Sequence, residues 1–267
     1  MTGEAARVRS PAAAGTFYPD DPVELAETVD RLLAAADRLI APPPRAVVVP
    51  HAGYAYSGPV AASAYARLRA DPPRRVALVG PAHFVPFRGI AVPTVDAWAT
   101  PLGDVPIDRA SREAATDAGA IADDAPDRGE HSLEVQLPFL QRVAGPGLTA
   151  LPVTVGDAAP GEVADVLEAV GPASDLVVVS TDLSHDLDAR TAATLDRRTA
   201  DAIVRLAQDE IPPRAACGAT PLGGSLVWAA RRGLVGTELD LRTSADTTGD
   251  ARRVVGYGAF AFERVAT

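Results

Sequence analysis

The chain alternates two kinds of apolar segment, and this alternation constrains its fold more than any other feature. Five runs are short, β-branched and almost unbroken in apolar character: 46–49, 76–79, 90–92, 151–155 and 176–179. Such runs suit strands buried on both faces, because a strand with one wet face alternates polar and apolar residues. A sixth run, 254–262, alternates small and large residues and predicts a strand with close backbone approach at Gly256 and Gly258.

Between these runs lie stretches with helical spacing, at 22–40, 59–70, 109–118, 161–170, 188–208 and 221–232. The first opens with Asp21-Pro22-Val23-Glu24, an N-cap followed by a proline in the first helical position and an acid at the third. Leu25, Val29, Leu32 and Leu33 then fall on one helix face. Strands alternating with helices predict an α/β fold, with a central mostly parallel or mixed β-sheet flanked by helices. Pro42-Pro43-Pro44 and Pro212-Pro213 each suit a short connector. The reading is therefore a single domain over 1–267, with its core at about 11–262. A chain of 267 residues buries a substantial core without staples.

Charge and cysteine usage narrow the function classes. The net charge is −10 and every basic side chain is arginine, so the surface repels phosphate backbones and no nucleic-acid partner is expected. A single cysteine excludes an intrachain disulfide and fits a reducing compartment. The apolar runs fall far short of the roughly 20 residues a membrane helix needs. The first 21 residues hold charges and prolines but no apolar core of signal-peptide length. A cytoplasmic protein with no membrane association is expected.

The histidines carry the chemistry. Of the four, His51, His83 and His185 each stand just past the carboxyl end of a predicted strand. Open α/β sheets bind ligands in the crevice beyond those ends. If the strands are parallel neighbours, three imidazoles converge on one rim, and imidazole is both the commonest metal ligand and the acid/base that titrates near neutrality. A lone histidine at a strand end is more often a hydrogen-bonded loop residue; three at equivalent places argue for a shared site. His51 lies among small residues, Pro50-His51-Ala52-Gly53-Tyr54, that leave room for a bound group. Asp182, three residues before His185, is placed to orient an imidazole or to cap the next helix. His131, in Glu130-His131-Ser132-Leu133-Glu134, belongs to a short helix start with Leu133 and Leu137 inward. Cys217 precedes a helix beginning near Thr220-Pro221; a lone cysteine is usually a small buried hydrophobe, but a sulfur at a helix amino terminus also suits metal binding. A sulfur with two imidazoles would make a soft three-ligand site with open positions. Phosphate-binding loops, dinucleotide fingerprints, paired CxxC, HExxH and GxSxG motifs are absent from the sequence.

Six motifs in order resemble the Memo family, whose bacterial and archaeal branch is called AmmeMemoRadiSam system protein B. They are Ala14-Gly15-Thr16-Phe17-Tyr18-Pro19, Pro50-His51-Ala52-Gly53-Tyr54, Gly80-Pro81-Ala82-His83, Glu130-His131-Ser132-Leu133-Glu134, Ser180-Thr181-Asp182-Leu183-Ser184-His185 and Cys217-Gly218. The resemblance implies a fold similar to class III extradiol dioxygenases, the LigB-like group, which hold non-haem iron with two histidines and a carboxylate. It implies His51, His83 and Cys217 as metal ligands, a cysteine standing where the dioxygenases have the carboxylate. His185 with Asp182 would move protons, and His131 would line the pocket. Iron or copper is the expected metal, with zinc as an option, and the substrate would be a small molecule. The family's naming implies a shared pathway with AMMECR1-like and radical S-adenosylmethionine proteins. Two alternatives stand beside a redox enzyme: a non-catalytic peptide- or protein-binding module, and a zinc-dependent hydrolase.

Overall fold

The computed structural model describes residues 6–36 and 42–264. Its strands are β1 (Val8–Arg9), β2 (Ala46–Val49), β3 (Arg75–Pro81), β4 (Ile90–Val92), β5 (Ala97–Thr100), β6 (Gly103–Pro106), β7 (Ile121–Ala122), β8 (Thr149–Val155), β9 (Leu176–Ser180), β10 (His185–Leu187), β11 (Leu234–Thr243) and β12 (Val254–Arg264). The principal helices are α1 (Pro22–Ala35), α2 (Tyr54–Tyr65), α3 (Arg109–Asp117), α4 (Leu137–Ala144), α5 (Pro160–Val170), α6 (Ala189–Val204) and α7 (Ala219–Arg231).

The main sheet runs β10-β12-β2-β9-β3-β8-β4-β7, with β11 added along β12. Its centre is parallel: β2 pairs β9, β9 pairs β3, and β3 pairs β8. Antiparallel strands flank this centre, β12 on β2 and β4 on β8. The sheet is thus mixed, as expected, around a parallel core. Val47, Val48, Leu78, Val79, Val178 and Val179 are fully buried, which explains their unbroken apolar runs: helices cover both faces. A smaller sheet, β1-β5-β6, joins the amino-terminal segment to a hairpin.

Helix boundaries follow local chemistry. Asp21 caps α1, its Oδ1 accepting the N–H groups of Val23 and Glu24 at 2.9 Å, and Pro22 takes the first position. The expected helix over 22–40 ends at Ala35; positions 37–40 lie outside the described residues. The helix expected at 59–70 begins five residues earlier, at Tyr54, and passes into a 3₁₀ turn at Ala66–Ala70. Pro59, which reads as a helix opener, sits inside α2. The close approach expected in β12 is present: a Cβ on Gly256 would collide with the carboxylate of buried Asp196.

Candidate metal centre

Strands β2, β9 and β3 lie side by side, so the loops after them open on one rim. His51 follows β2, His83 follows β3, and Asp182 and His185 follow β9. Two further segments reach that rim. The turn before α4 brings Glu130 and His131, and the residues before α7 bring Cys217. Cys217 is tied to the β9 loop, its backbone N–H donating to the Asp182 carbonyl.

The rings gather tightly. His51, His83 and His131 each offer a nitrogen, and the three lie within 4.8 Å of one another. His83 and His131 stack at 4.9 Å between centroids, while His51 stands edge-on to both. Phe17 stacks on His131 at 4.3 Å, and exposed Phe84 approaches the same ring at 5.7 Å. Cys217 Sγ lies 3.1 Å from His51 Nε2. The donors that gather within 4.8 Å are thus His51, His83 and His131, and Cys217 reaches this group at His51.

The hydrogen-bond network fixes which nitrogen of each ring is available. Ser180 donates its single hydroxyl proton to the Ser132 carbonyl at 2.6 Å, and it accepts from Gln136. It can therefore only accept from His51 Nδ1, at 3.0 Å. That assigns the proton of His51 to Nδ1 and leaves a lone pair on Nε2, facing the sulfur. Glu130 holds His83 through the corresponding ring nitrogen. One carboxylate oxygen receives the ring Nδ1 at 2.9 Å together with the backbone N–H groups of His131 and Ser132; the other receives the His83 N–H at 2.6 Å.

Charge follows from this geometry. Complete burial holds His51 well below the ordinary histidine range, so its imidazole is neutral. Burial also pulls His131 down, to about 4. Burial works in the same direction on His83, but hydrogen bonding to Cys217 and Glu130 outweighs it and raises the ring to about 10. Glu130 is buried too, yet the bonds from His83 and Ser132 bring it down to about 2. Desolvation raises Asp182 to about 6 against the backbone bonds it accepts from His51 and Ala52.

Asp182 is bonded to the loop after β2. Its Oδ1 accepts the His51 backbone N–H at 2.7 Å, and its own N–H donates to Cys217 Sγ at 3.3 Å. The ring of His185 is instead held through Nδ1 by the Leu183 carbonyl, at 2.9 Å. Asp182 thus braces two of the expected ligands, its carboxylate on the His51 backbone and its own N–H on Cys217 Sγ.

The donor set fits an ion. A nitrogen and a sulfur bound to one metal at about 2.0–2.1 and 2.3 Å stand roughly 3.1–3.6 Å apart for right-angled to tetrahedral arrangements, and the His51–Cys217 pair meets the lower end of that range. His131 Nδ1 is buried without a hydrogen-bond partner; it lies 3.4 Å from Glu130 but lacks the geometry to bond to it. A hollow of about 320 Å³ opens beside the sulfur, bounded by Ala82, Phe87, Asp157, Pro213 and Thr220.

Sequence reasoning passed over Glu130 and Ser180. Both lie in quoted motifs, but an acid in a polar run and a serine at a strand end carry no signal of burial until the fold encloses them.

A mixed α/β sheet with imidazoles and a sulfur converging beyond its parallel strands defines a candidate histidine–cysteine metal centre on an α/β scaffold. The chain belongs to the Memo family: the family model described as Memo-like protein matches residues 9–261. Similar relatives include a MEMO1 family protein of Aquifex aeolicus, 38% identical over 94% of this chain and 97% of that protein. Others are MEMO1 family proteins of Methanopyrus kandleri, 36% identical over 96% and 99%, and of Methanococcoides burtonii, 37% identical over 94% and 98%. The architecture is consistent with a class III extradiol dioxygenase-like fold. Among the described residues no helix is long and apolar enough to cross a membrane.

Proposed function

We propose that this protein binds iron or copper through His51, His83 and Cys217 and uses it in a dioxygenase-like redox reaction on a small molecule. The observation that carries this reading is the 3.1 Å approach of Cys217 Sγ to the lone-pair nitrogen of His51, inside a cluster that also holds His83. A sulfur ligand favours softer states such as Cu(I) more than a two-histidine, one-carboxylate site does. When bound, the metal would supply redox and Lewis-acid chemistry to a substrate lodged in the adjoining hollow.

The protein's own groups have separable tasks. Ser180 and Glu130 set the ring tautomers of His51 and His83. Asp182 braces His51 and Cys217. His185, with Nδ1 bonded to the Leu183 carbonyl, keeps Nε2 free at the rim and there accepts or delivers a proton. His131, kept neutral by burial, lies beside Phe84 on the imidazole side of the centre, where it would face a substrate that reaches past the metal.

The test is elemental analysis of protein purified without chelator, alongside His51→Ala and Cys217→Ser. Iron or copper near one per chain, lost in both variants, is expected. An unchanged metal content in both, or none in the parent after reconstitution, sinks the reading and favours a binding module. Oxygen uptake with a catechol and hydroquinone panel tests the redox step. Turnover that persists without oxygen in zinc-loaded protein would mark a hydrolase instead.

A further inference from the structure

We propose that the centre carries two alternative third donors, Cys217 and His131, and that the hardness of the bound ion selects between them. The inference rests on the metal-binding reading above and extends it to which ions the site accepts. His51 and His83 are common to both sets. With Cys217 they form an N₂S set, and with His131 an N₃ set.

Four observations support this. The three imidazoles meet as one cluster within 4.8 Å, so His131 is as much part of the gathering as the two rings shared by both sets. The sulfur approaches the same cluster through His51. The two competing donors sit on separate segments, Cys217 before α7 and His131 before α4, so either can engage without dragging the other. Finally, His131 Nδ1 is a buried polar atom with no hydrogen-bond partner, although every polar atom of Glu130 beside it is used. Buried polar atoms without partners are rare and ask for an explanation, an absent ion among them.

Placement of His131 is also maintained from both sides. Below, its backbone N–H donates to Glu130. Above, Phe17 stacks on the ring. Phe17 in turn is fixed by an amino-terminal strap whose Ala12 and Ala13 N–H groups and Tyr18 hydroxyl all bond to buried Glu134. A ring needed only to fill space would not require two buried carboxylates, four residues apart, to hold its surroundings.

Ligand softness supplies the selection. Thiolate suits Cu(I), whereas imidazole suits borderline divalent ions such as Ni(II). The experiment measures Cu(I) and Ni(II) affinities of the full chain by competition with chelators, for the parent, Cys217→Ala and His131→Ala. Cys217→Ala should weaken Cu(I) by more than 100-fold and Ni(II) by less than threefold. His131→Ala should weaken Ni(II) by at least tenfold and leave Cu(I) within threefold. X-ray absorption on the parent needs no variant: a sulfur shell is expected with Cu(I), and imidazole scattering without sulfur with Ni(II). Sulfur bound to both ions, or a His131→Ala protein with unchanged Ni(II) affinity, overturns the proposal and leaves metal binding standing. A parent that binds neither ion overturns the proposal, and one that also fails to bind iron removes the metal-binding reading.

Discussion

Glu130 grips His83 at both ends, one carboxylate oxygen on the backbone N–H at 2.6 Å and the other on ring Nδ1 at 2.9 Å. The same carboxylate accepts the N–H groups of His131 and Ser132, so one fully buried side chain fixes the ring of His83 and the backbone of His131. Glu130→Gln turns an amide NH₂ toward a backbone donor. The expected loss is about 1–3 kcal/mol of stability from the unsatisfied buried group. Metal affinity should fall by roughly 10–100-fold, as when an outer partner of a ligand is removed. Denaturant unfolding of metal-free protein and a metal titration report the two effects separately; an affinity equal to the parent's would remove Glu130 from the centre.

Arg9 ties the strap to the turn that bears the histidines. Its Nε donates to the Asp127 carbonyl, Nη1 to Glu134 and Nη2 to the Glu130 carbonyl, while its guanidinium lies over Trp98. Arg9→Ala leaves Glu134 buried without its cation. Such losses cost about 3–5 kcal/mol, and the lower end is expected here because three other donors still reach Glu134. Arg9→Lys should recover little, since one ammonium cannot serve three diverging acceptors. Chemical denaturation of both variants checks this, and full recovery by lysine would contradict it.

Asp127 gives a pH signature away from the metal ligands. Burial raises its carboxyl from 3.8 to about 7, while one oxygen accepts from Thr154 and the other has no partner. The folded state therefore holds a proton that the unfolded state has released. Stability from this group falls as pH rises from about 4 to about 7. Asp127→Asn has no such titration, so its stability relative to the parent should improve steadily across that window. Parallel melts at pH 4.5, 6 and 8 would show the trend, and a pH-independent gap would refute it.

Gly256 and Asp196 interlock beneath the loop that carries His185. A Cβ on Gly256 would collide with the Asp196 carboxylate, whose other oxygen accepts the Ser184 N–H at 3.0 Å. Asp196 is buried and cannot swing aside without giving up that bond. Gly256→Ala should cost about 1–3 kcal/mol by overpacking. Hydrogen exchange should quicken at Leu183 and Ser184, whose backbone groups bond to Gly256. Unchanged exchange there would mean the loop does not depend on this contact.

The parallel core and the rim were readable in the sequence because both depend on local pattern. Fully buried strands leave unbroken β-branched runs, and His51 and His83 could be placed at strand ends by counting, whereas His185 lies five residues past β9 and opens β10. Strand β11 was not readable. It pairs only with β12, is half-exposed, and carries Glu238, Asp240 and Arg242, so it has no apolar run to mark it. The start of α2 was misplaced because Pro59 imitates a helix opener while sitting inside the helix. The brace made by Asp182 depends on the carboxylate's direction after folding, and Glu130 looks like any loop acid until Ser132 and the histidines bond to it.

The pairing of His51 with Cys217 spans 166 positions of the chain. An ion held between them would act as a removable cross-link, closing a long loop in whatever state retains it. Because the two donors come together only when the sheet is assembled, loading would be felt as a rise in the cooperative melting of the whole protein, in proportion to the logarithm of free metal. Metal supply would thereby set how long each molecule survives, as well as whether it can work.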